Sequence, residues 1–209
     1  MALVITVAQQ KGGTGKTTLA ANLAAALAAD RRVAILDIDP QRSLTRWHQL
    51  RGARDKPAAA ITCSDVSGWR LATELDRLKR DHDAILIDSP PRIDTDARLT
   101  IRAADLILVP VQPSLPDVWA AEGTLKLATD ERRKVAIVLN RVPATSKLRD
   151  AIVADLTARG LTLLHTGIGN RAGFAHAFAQ GLGITEAAPR STGARELRAM
   201  LDEVMELTR

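Results

Sequence analysis

Apolar residues along the chain fall into two alternating kinds of stretch. Short runs such as Ala84-Ile85-Leu86-Ile87 have no polar position inside them. A strand that is apolar at every position must be covered on both faces, the mark of a parallel sheet layered between helices. Longer Ala- and Leu-rich stretches between these runs repeat their apolar residues at intervals of three and four, the period of a helix packed on one side. The pattern predicts strands at 3–8, 33–37, 84–88, 106–110, 135–140 and 161–165, with a weaker one at 59–63. It predicts helices at 17–29, 68–81, 96–104, 117–129, 147–159, 172–180 and 192–207. This alternation implies an α/β fold: a doubly wound, mostly parallel sheet with helices on both faces. No linker, repeat or low-complexity tract interrupts it, so residues 1–209 read as a single domain.

Composition narrows the picture in a few places. Aromatic residues make up 2% of the chain and Tyr is absent, so the core rests on Ala, Leu, Ile and Val, and stacking on unpaired bases is disfavoured. The single cysteine, Cys63, excludes an internal disulfide and a cysteine-rich metal site, and fits a reducing cytoplasm. No N-terminal signal pattern is visible, and no apolar run approaches the roughly 20 residues of a membrane span. A net charge of +5 permits contact with nucleic acid or anionic lipid.

In an open α/β sheet, ligands gather beyond the carboxyl ends of the strands. The polar stretches Gln9–Thr18, Asp37–Ser43, Asp88–Pro91, Gln112–Asp117 and Asn140–Arg141 all follow predicted strands and should meet on that edge. The first contains Lys11-Gly12-Gly13-Thr14-Gly15-Lys16-Thr17-Thr18 between a strand and a helix. Its glycines let successive N–H groups turn toward phosphate oxygens, and the helix N-terminus adds partial positive charge. Lys16 can reach the outer phosphates, and the Thr17 hydroxyl can ligate Mg²⁺. Gln10 stands where the common phosphate-loop motif has its first glycine, and an additional lysine, Lys11, follows.

Asp37 and Asp39 in Asp37-Ile38-Asp39-Pro40-Gln41-Arg42-Ser43 can hold a metal, orient water or cap the helix that follows, with Ser43 the better N-cap. The run 84–87 ends in Asp88, placed to hold Mg²⁺ directly or through water, and Pro90 and Pro91 stiffen the next loop. Asn140 can exchange hydrogen bonds with adenine or fix a loop. Phe174 and Phe178 read as core anchors and His176 as a solvent-facing residue between them.

The Lys-Gly-Gly-Thr-Gly-Lys-Thr box at 11–17 resembles the deviant Walker A motif of the ParA/MinD superfamily, and the runs 37–43, 84–91 and 105–114 are similar to its strand ends and switches. The resemblance extends from Ile5 to about Leu197 and implies a small ParA-type ATPase using ATP and Mg²⁺. It implies a homodimer bridged by ATP, in which Lys11 contacts the partner's nucleotide. It gives Asp39 a part in activating water, and assigns Thr17, Asp37 and Asp88 to the metal. Asn140, Arg141 and Pro189 are placed by the adenine. Slow hydrolysis stimulated by a ParB-like or other cargo adaptor, non-specific double-stranded DNA as a partner and a nucleoid-associated location are further expectations. So is partition or positioning of a plasmid, chromosome or protein cargo. Where this chain has Arg42, the family more often has Gly. The phosphate loop starts at residue 9, leaving no room for an N-terminal operator-binding domain.

Rival readings remain. A MinD-like membrane switch requires a basic polar face on its final helix, whereas 192–207 mixes acids and bases and reads as a packing helix with no stable membrane anchor. A metabolite-directed ligase shares the fold, and a scaffold that binds ATP without cleaving it follows if Asp39 has another role. Nitrogenase-type iron proteins need paired cysteines, and tyrosine autokinases need tyrosines. Basic residues at 132–134, 141, 147, 149, 159, 171 and 190 suit DNA phosphates if several share a face in the dimer, and otherwise only solubilise the chain.

Overall fold

The computed structural model describes residues 2–66, 70–92, 94–145 and 147–209. Among them, β1 (Leu3–Val7), β2 (Val33–Asp37), β3 (Ile61–Asp65), β4 (Ala84–Asp88), β5 (Leu106–Val111) and β6 (Lys134–Leu139) form one sheet. Its order is β3-β2-β4-β1-β5-β6, and every neighbouring pair is parallel. The helices are α1 (Lys16–Leu27), α2 (Ser43–Gly52), α3 (Leu71–Asp81), α4 (Thr95–Ala103), α5 (Leu115–Asp130), α6 (Lys147–Ala158), α7 (Ala172–Ala179), α8 (Ile184–Ala187) and α9 (Thr192–Leu207).

Alternate residues of each strand serve opposite faces. Ile5, Ile35, Leu86 and Leu108 face α1, α2 and α9, joining Leu23, Trp47, Leu197 and Met200 in one core. On the other side, Val4, Leu36, Ile85 and Ile87 pack on Leu71, Leu75 and Leu78 of α3, while Ile107, Val109 and Ile137 pack under α5 and α6. The doubly covered sheet expected from the apolar runs is therefore present, and all of it is parallel. Leu197, Met200 and Val204 bury α9 against the molecule, as a packing helix should be.

Several elements differ from the sequence reading. Residues 161–165 do not form a strand. The segment runs along the free edge of β6 and pairs only at the isolated bridge Ile137↔Leu163. The amides of His165 and Thr166 turn instead to the Glu203 carboxylate on α9. The weak strand at 59–63 forms two residues later as β3, where Ile35 pairs with Cys63. The helix expected at 68–81 is seen as α3 from Leu71; its predicted start at Gly68 lies outside the described residues. Ser43 is not the N-cap of α2: Arg42 is, in the left-handed conformation (φ 56°) and without a side-chain cap. The short α8 was not anticipated, because four residues are too few to show a period.

Candidate nucleotide site at the carboxyl edge

Asp37 and Asp88, paired in register at the ends of β2 and β4, bring the predicted acids together beside the loop between β1 and α1. That loop turns at Gly13 (φ 80°) and Gly15 (φ 94°), and Gly15 caps α1. A side chain at Gly15 would meet both an unfavourable backbone angle and the Asn140 amide, 2.5 Å from its Cβ. Gly12 and Gly13 are exposed at the crest, while Thr14 is buried and its hydroxyl reaches the Lys11 carbonyl at 3.4 Å. Asn140 Nδ2 donates to the Thr14 carbonyl at 2.7 Å, so the loop-fixing reading of Asn140 is realised.

Lys16 is buried, and loss of water lowers its pKa against the opposing pull of Asp88 and Asp39. Thr17 Oγ1 donates to Asp88 Oδ2 at 2.6 Å. Full burial pushes the Asp88 carboxyl up to about 7, with the Thr17 bond working against that rise and the charge of Asp37 adding to it. Burial also raises Asp37. One oxygen of Asp37 caps α2, accepting from Thr45 N at 2.8 Å and Thr45 Oγ1 at 2.9 Å. The capping alternative thus holds for Asp37, which does the work expected of Ser43. Its other oxygen, and Oδ1 of Asp88, are buried without a partner. Two orphaned carboxylate oxygens beside a hydroxyl and an ammonium fit a small divalent cation, which needs oxygen ligands. Among the described residues no group of three or more His, Cys, Asp or Glu is arranged to hold a metal alone. Nucleotide oxygens and water would complete the shell, as Mg²⁺ prefers.

Asp39 is buried at the same edge, and its Oδ1 accepts from Gln41 N at 2.9 Å, closing a small turn. The Arg42 guanidinium donates to the Asp37 carbonyl and pairs with Asp65 at the end of β3. This holds the 39–42 loop against the sheet despite the backbone cost at Arg42.

Lys11 is not a freely solvated lysine. Its Nζ bonds Asp117 Oδ2 at 2.5 Å, and Asp117, buried in the first turn of α5, also accepts from Ser114 Oγ at 2.6 Å. Gln112 Nε2 reaches the Gly13 carbonyl at 3.1 Å. The 112–117 segment therefore buttresses the phosphate loop within one chain, a role not visible in the sequence because it depends on β5 lying next to β1.

A cleft of about 200 Å³ opens beside α1, lined by Gly15, Thr18, Asn140, Arg141, Asn170 and Phe174. It continues from the phosphate loop and suits a nucleoside. Thr18, Asn140 and Arg141 line it, with Arg141 in the left-handed conformation (φ 52°). Pro189 is not there. It sits exposed after α8, its carbonyl bonded to Arg198, because α8 turns the chain back over α1 before that proline. Phe174 is both a buried anchor and a wall of the cleft, while His176 is exposed as predicted. Sequence reasoning missed Asn22, a buried amide inside α1. Its oxygen accepts from Ile184 N at 2.7 Å and ties α8 to the cleft's floor.

Residues 5–184 match the CobQ/CobB/MinD/ParA nucleotide-binding domain. The chain is 31% identical to the maintenance of carboxysome distribution protein A of Halothiobacillus neapolitanus, over 98% of this chain and 97% of that protein. It is 30% identical to the chromosome-partitioning ATPase Soj of Thermus thermophilus, over 96% and 94%. The apo structure of Cyanothece McdA superposes with a TM-score of 0.81 at 21% identity, covering all of both chains. With the phosphate loop, Asp88 and the sheet order already in place, this chain belongs to the CobQ/CobB/MinD/ParA nucleotide-binding family, within which it is a ParA-type ATPase.

Proposed function

We propose that the chain is a positioning ATPase. It binds ATP with Mg²⁺ and dimerises around the nucleotide. In that state it holds duplex DNA without regard to sequence, and it carries or spaces a cargo until hydrolysis releases it. The observation that supports this most directly is the reactive edge itself. Lys16, Thr17 and Asp88 are assembled with two unpartnered carboxylate oxygens, and Lys11 is stored on Asp117. Mg²⁺, held by Thr17 and Asp88 and through water by Asp37, would neutralise charge on the phosphate oxygens. Lys16 adds fixed positive charge from a site that excludes water, where charge is most effective. Asp39, buried at the same edge, would orient the attacking water.

Phosphoryl transfer depends mainly on positioning and charge. A site whose second lysine is engaged elsewhere in the single chain is a slow catalyst on its own, and stimulation by an adaptor peptide is the natural control. The relatives named for carboxysome distribution and for chromosome partition point to a protein assembly or a DNA molecule as cargo. Among the described residues no helix is long and apolar enough to cross a membrane, and the polar positions of α9 mix two bases with four acids, which does not favour a lipid-bound role.

Binding to a random-sequence duplex with ATP, with ADP and without nucleotide, at two salt concentrations, tests the reading. Binding confined to ATP and weakened by salt is expected. An active ATPase with no affinity for DNA in any state would overturn it.

A further inference from the structure

Between β2 and α2 the chain crosses the nucleotide edge in a short link, Ile38-Asp39-Pro40-Gln41-Arg42, and Asp39 depends on that link for its position. The start of the link is anchored, because Ile38 N donates to Asp88 O at 3.1 Å and so continues the pairing of β2 with β4. Its middle, Pro40 and Gln41, is exposed. Within the link, the Asp39 carboxylate accepts from Gln41 N and the Asp39 carbonyl from Arg42 N, both at 2.9 Å. Those two bonds fix Asp39 to the turn, but they do not fix the turn to the sheet.

Arg42 does that. Its Nη1 donates to the Asp37 carbonyl at 3.1 Å and forms an ion pair with Asp65 Oδ1. Asp37 and Asp65 are register partners at the ends of β2 and β3, so one guanidinium clasps the far side of the link to two strand ends. The backbone of Arg42 is an independent observation. It lies in the left-handed region (φ 56°), where glycine sits without cost and a residue with a Cβ is disfavoured. A part-exposed ion pair contributes little stability, of the same order as that backbone cost and opposite in sign. Fold stability therefore accounts poorly for an arginine here, and what its side chain supplies is a fixed loop.

We propose that Arg42 is a positioning residue for ATP hydrolysis, clasped to Asp65 so that Asp39 is held at the nucleotide edge before nucleotide arrives. The inference rests on the water-orienting reading of Asp39 and deepens it by naming what keeps that carboxylate in place. The charge of Asp39 acts, with that of Asp88, against the lowering that burial imposes on Lys16, so the carboxylate already stands near the phosphate-binding ammonium. Preorganisation of this kind acts on the rate of the chemical step. It leaves ATP affinity to Lys16 and Thr17, which the phosphate loop and α1 place, and to Asp88 on β4. The clasp is also open to solvent, its side chains 36% and 45% exposed, so dissolved salt screens it. Basal turnover thereby becomes sensitive to ionic strength through a pair outside the phosphate loop.

The test measures steady-state ATP turnover, without DNA or adaptor, for the parent, Arg42→Gly, Arg42→Lys, Asp65→Ala and the double variant Arg42→Gly/Asp65→Ala. Asp39→Ala sets the floor, and melting temperature is the folding control. Arg42 also opposes the rise that burial gives the Asp37 carboxyl, and Asp65→Ala leaves that charge in place while loosening the clasp. In Arg42→Gly and in Asp65→Ala kcat falls about tenfold while KM for ATP changes less than about twofold, and the double variant is no slower than Arg42→Gly. Arg42→Lys, which keeps the cation, recovers most of the rate. Raising NaCl from about 0.05 to 0.5 M brings the parent toward Arg42→Gly, which itself changes little. Unchanged kcat in Arg42→Gly and Asp65→Ala, with Asp39→Ala inactive, overturns the clasp and leaves the Asp39 reading standing. So does a faster Arg42→Gly, or a rise in KM that matches the fall in kcat. Full turnover by Asp39→Ala overturns both.

Discussion

Replacing Asp88 by Asn removes a buried charge while keeping an acceptor for the Thr17 hydroxyl. In the nucleotide-free chain the carboxyl titrates at about 7, against 3.8 for the free side chain. Folded protein therefore keeps this proton over an interval in which unfolded protein has lost it, so stability falls as pH rises from the lower value to the higher and is level beyond it. At roughly 1.4 kcal/mol per pH unit, Asp88 costs about 2 kcal/mol at pH 5.5 and about 4 kcal/mol at pH 8. Asp37 titrates in the same sense in both proteins. Asp88→Asn is thus expected to stabilise the nucleotide-free chain, and by about 2 kcal/mol more at pH 8 than at pH 5.5. Urea denaturation followed by circular dichroism, with EDTA present, measures the difference. Saturating Mg²⁺–ATP reverses the order: at about 100 times its Kd it adds roughly 2.7 kcal/mol to the parent, and the variant gains far less. A stability gain that is the same at both pH values, or a loss at both, would refute the assignment of Asp88 as a buried, charge-strained metal ligand.

Asp39→Ala should abolish turnover while lengthening the life of the ATP-bound dimer, as read by single-turnover kinetics and size-exclusion chromatography; unchanged turnover removes Asp39 from the water-orienting role. Asp117→Asn weakens the bond that holds Lys11, and the ATP concentration needed for dimerisation should fall about fivefold, equivalent to roughly 1 kcal/mol; no change would mean that the Lys11–Asp117 pair does not compete with dimer formation. Gly181→Ala places a Cβ 2.2 Å from Arg51 N at a φ of +66°. The combined backbone strain and overpacking predict a loss of about 3 kcal/mol in urea denaturation.

The sheet could be read from the chain because β2 and β4 are apolar at every position up to a closing Asp, and Ala84–Asp88 and Val33–Asp37 appear with the boundaries predicted. Residues 161–165 carry a weaker signal, broken by Thr162 and His165, and sit at an edge where the Glu203 carboxylate competes for the backbone. The phosphate loop, Thr17 and Asp88 were legible for a different reason: their chemistry demands particular residue types in a contiguous order. Asp117, Asn22 and Thr45 were not, since each acts through a partner that only the strand order or helix packing brings near. Asp37 shows the limit from the other side. Two readings of one residue, cap and metal neighbour, proved compatible because its two oxygens face different ways.

Arg51 on α2 is buried, and its guanidinium binds the carbonyls of Ala59 and Gly181 and, through two bonds, the Glu186 carboxylate on α8. The helix that begins beside Asp39 is thereby pinned to the segment that follows the nucleoside cleft. A ligand that shifts α2 must then act on the cleft wall as well, and linkage makes the effect mutual: whatever factor such a ligand imposes on nucleotide affinity, nucleotide imposes on the affinity for that ligand. The two ends of the bound nucleotide would report to each other through a single arginine.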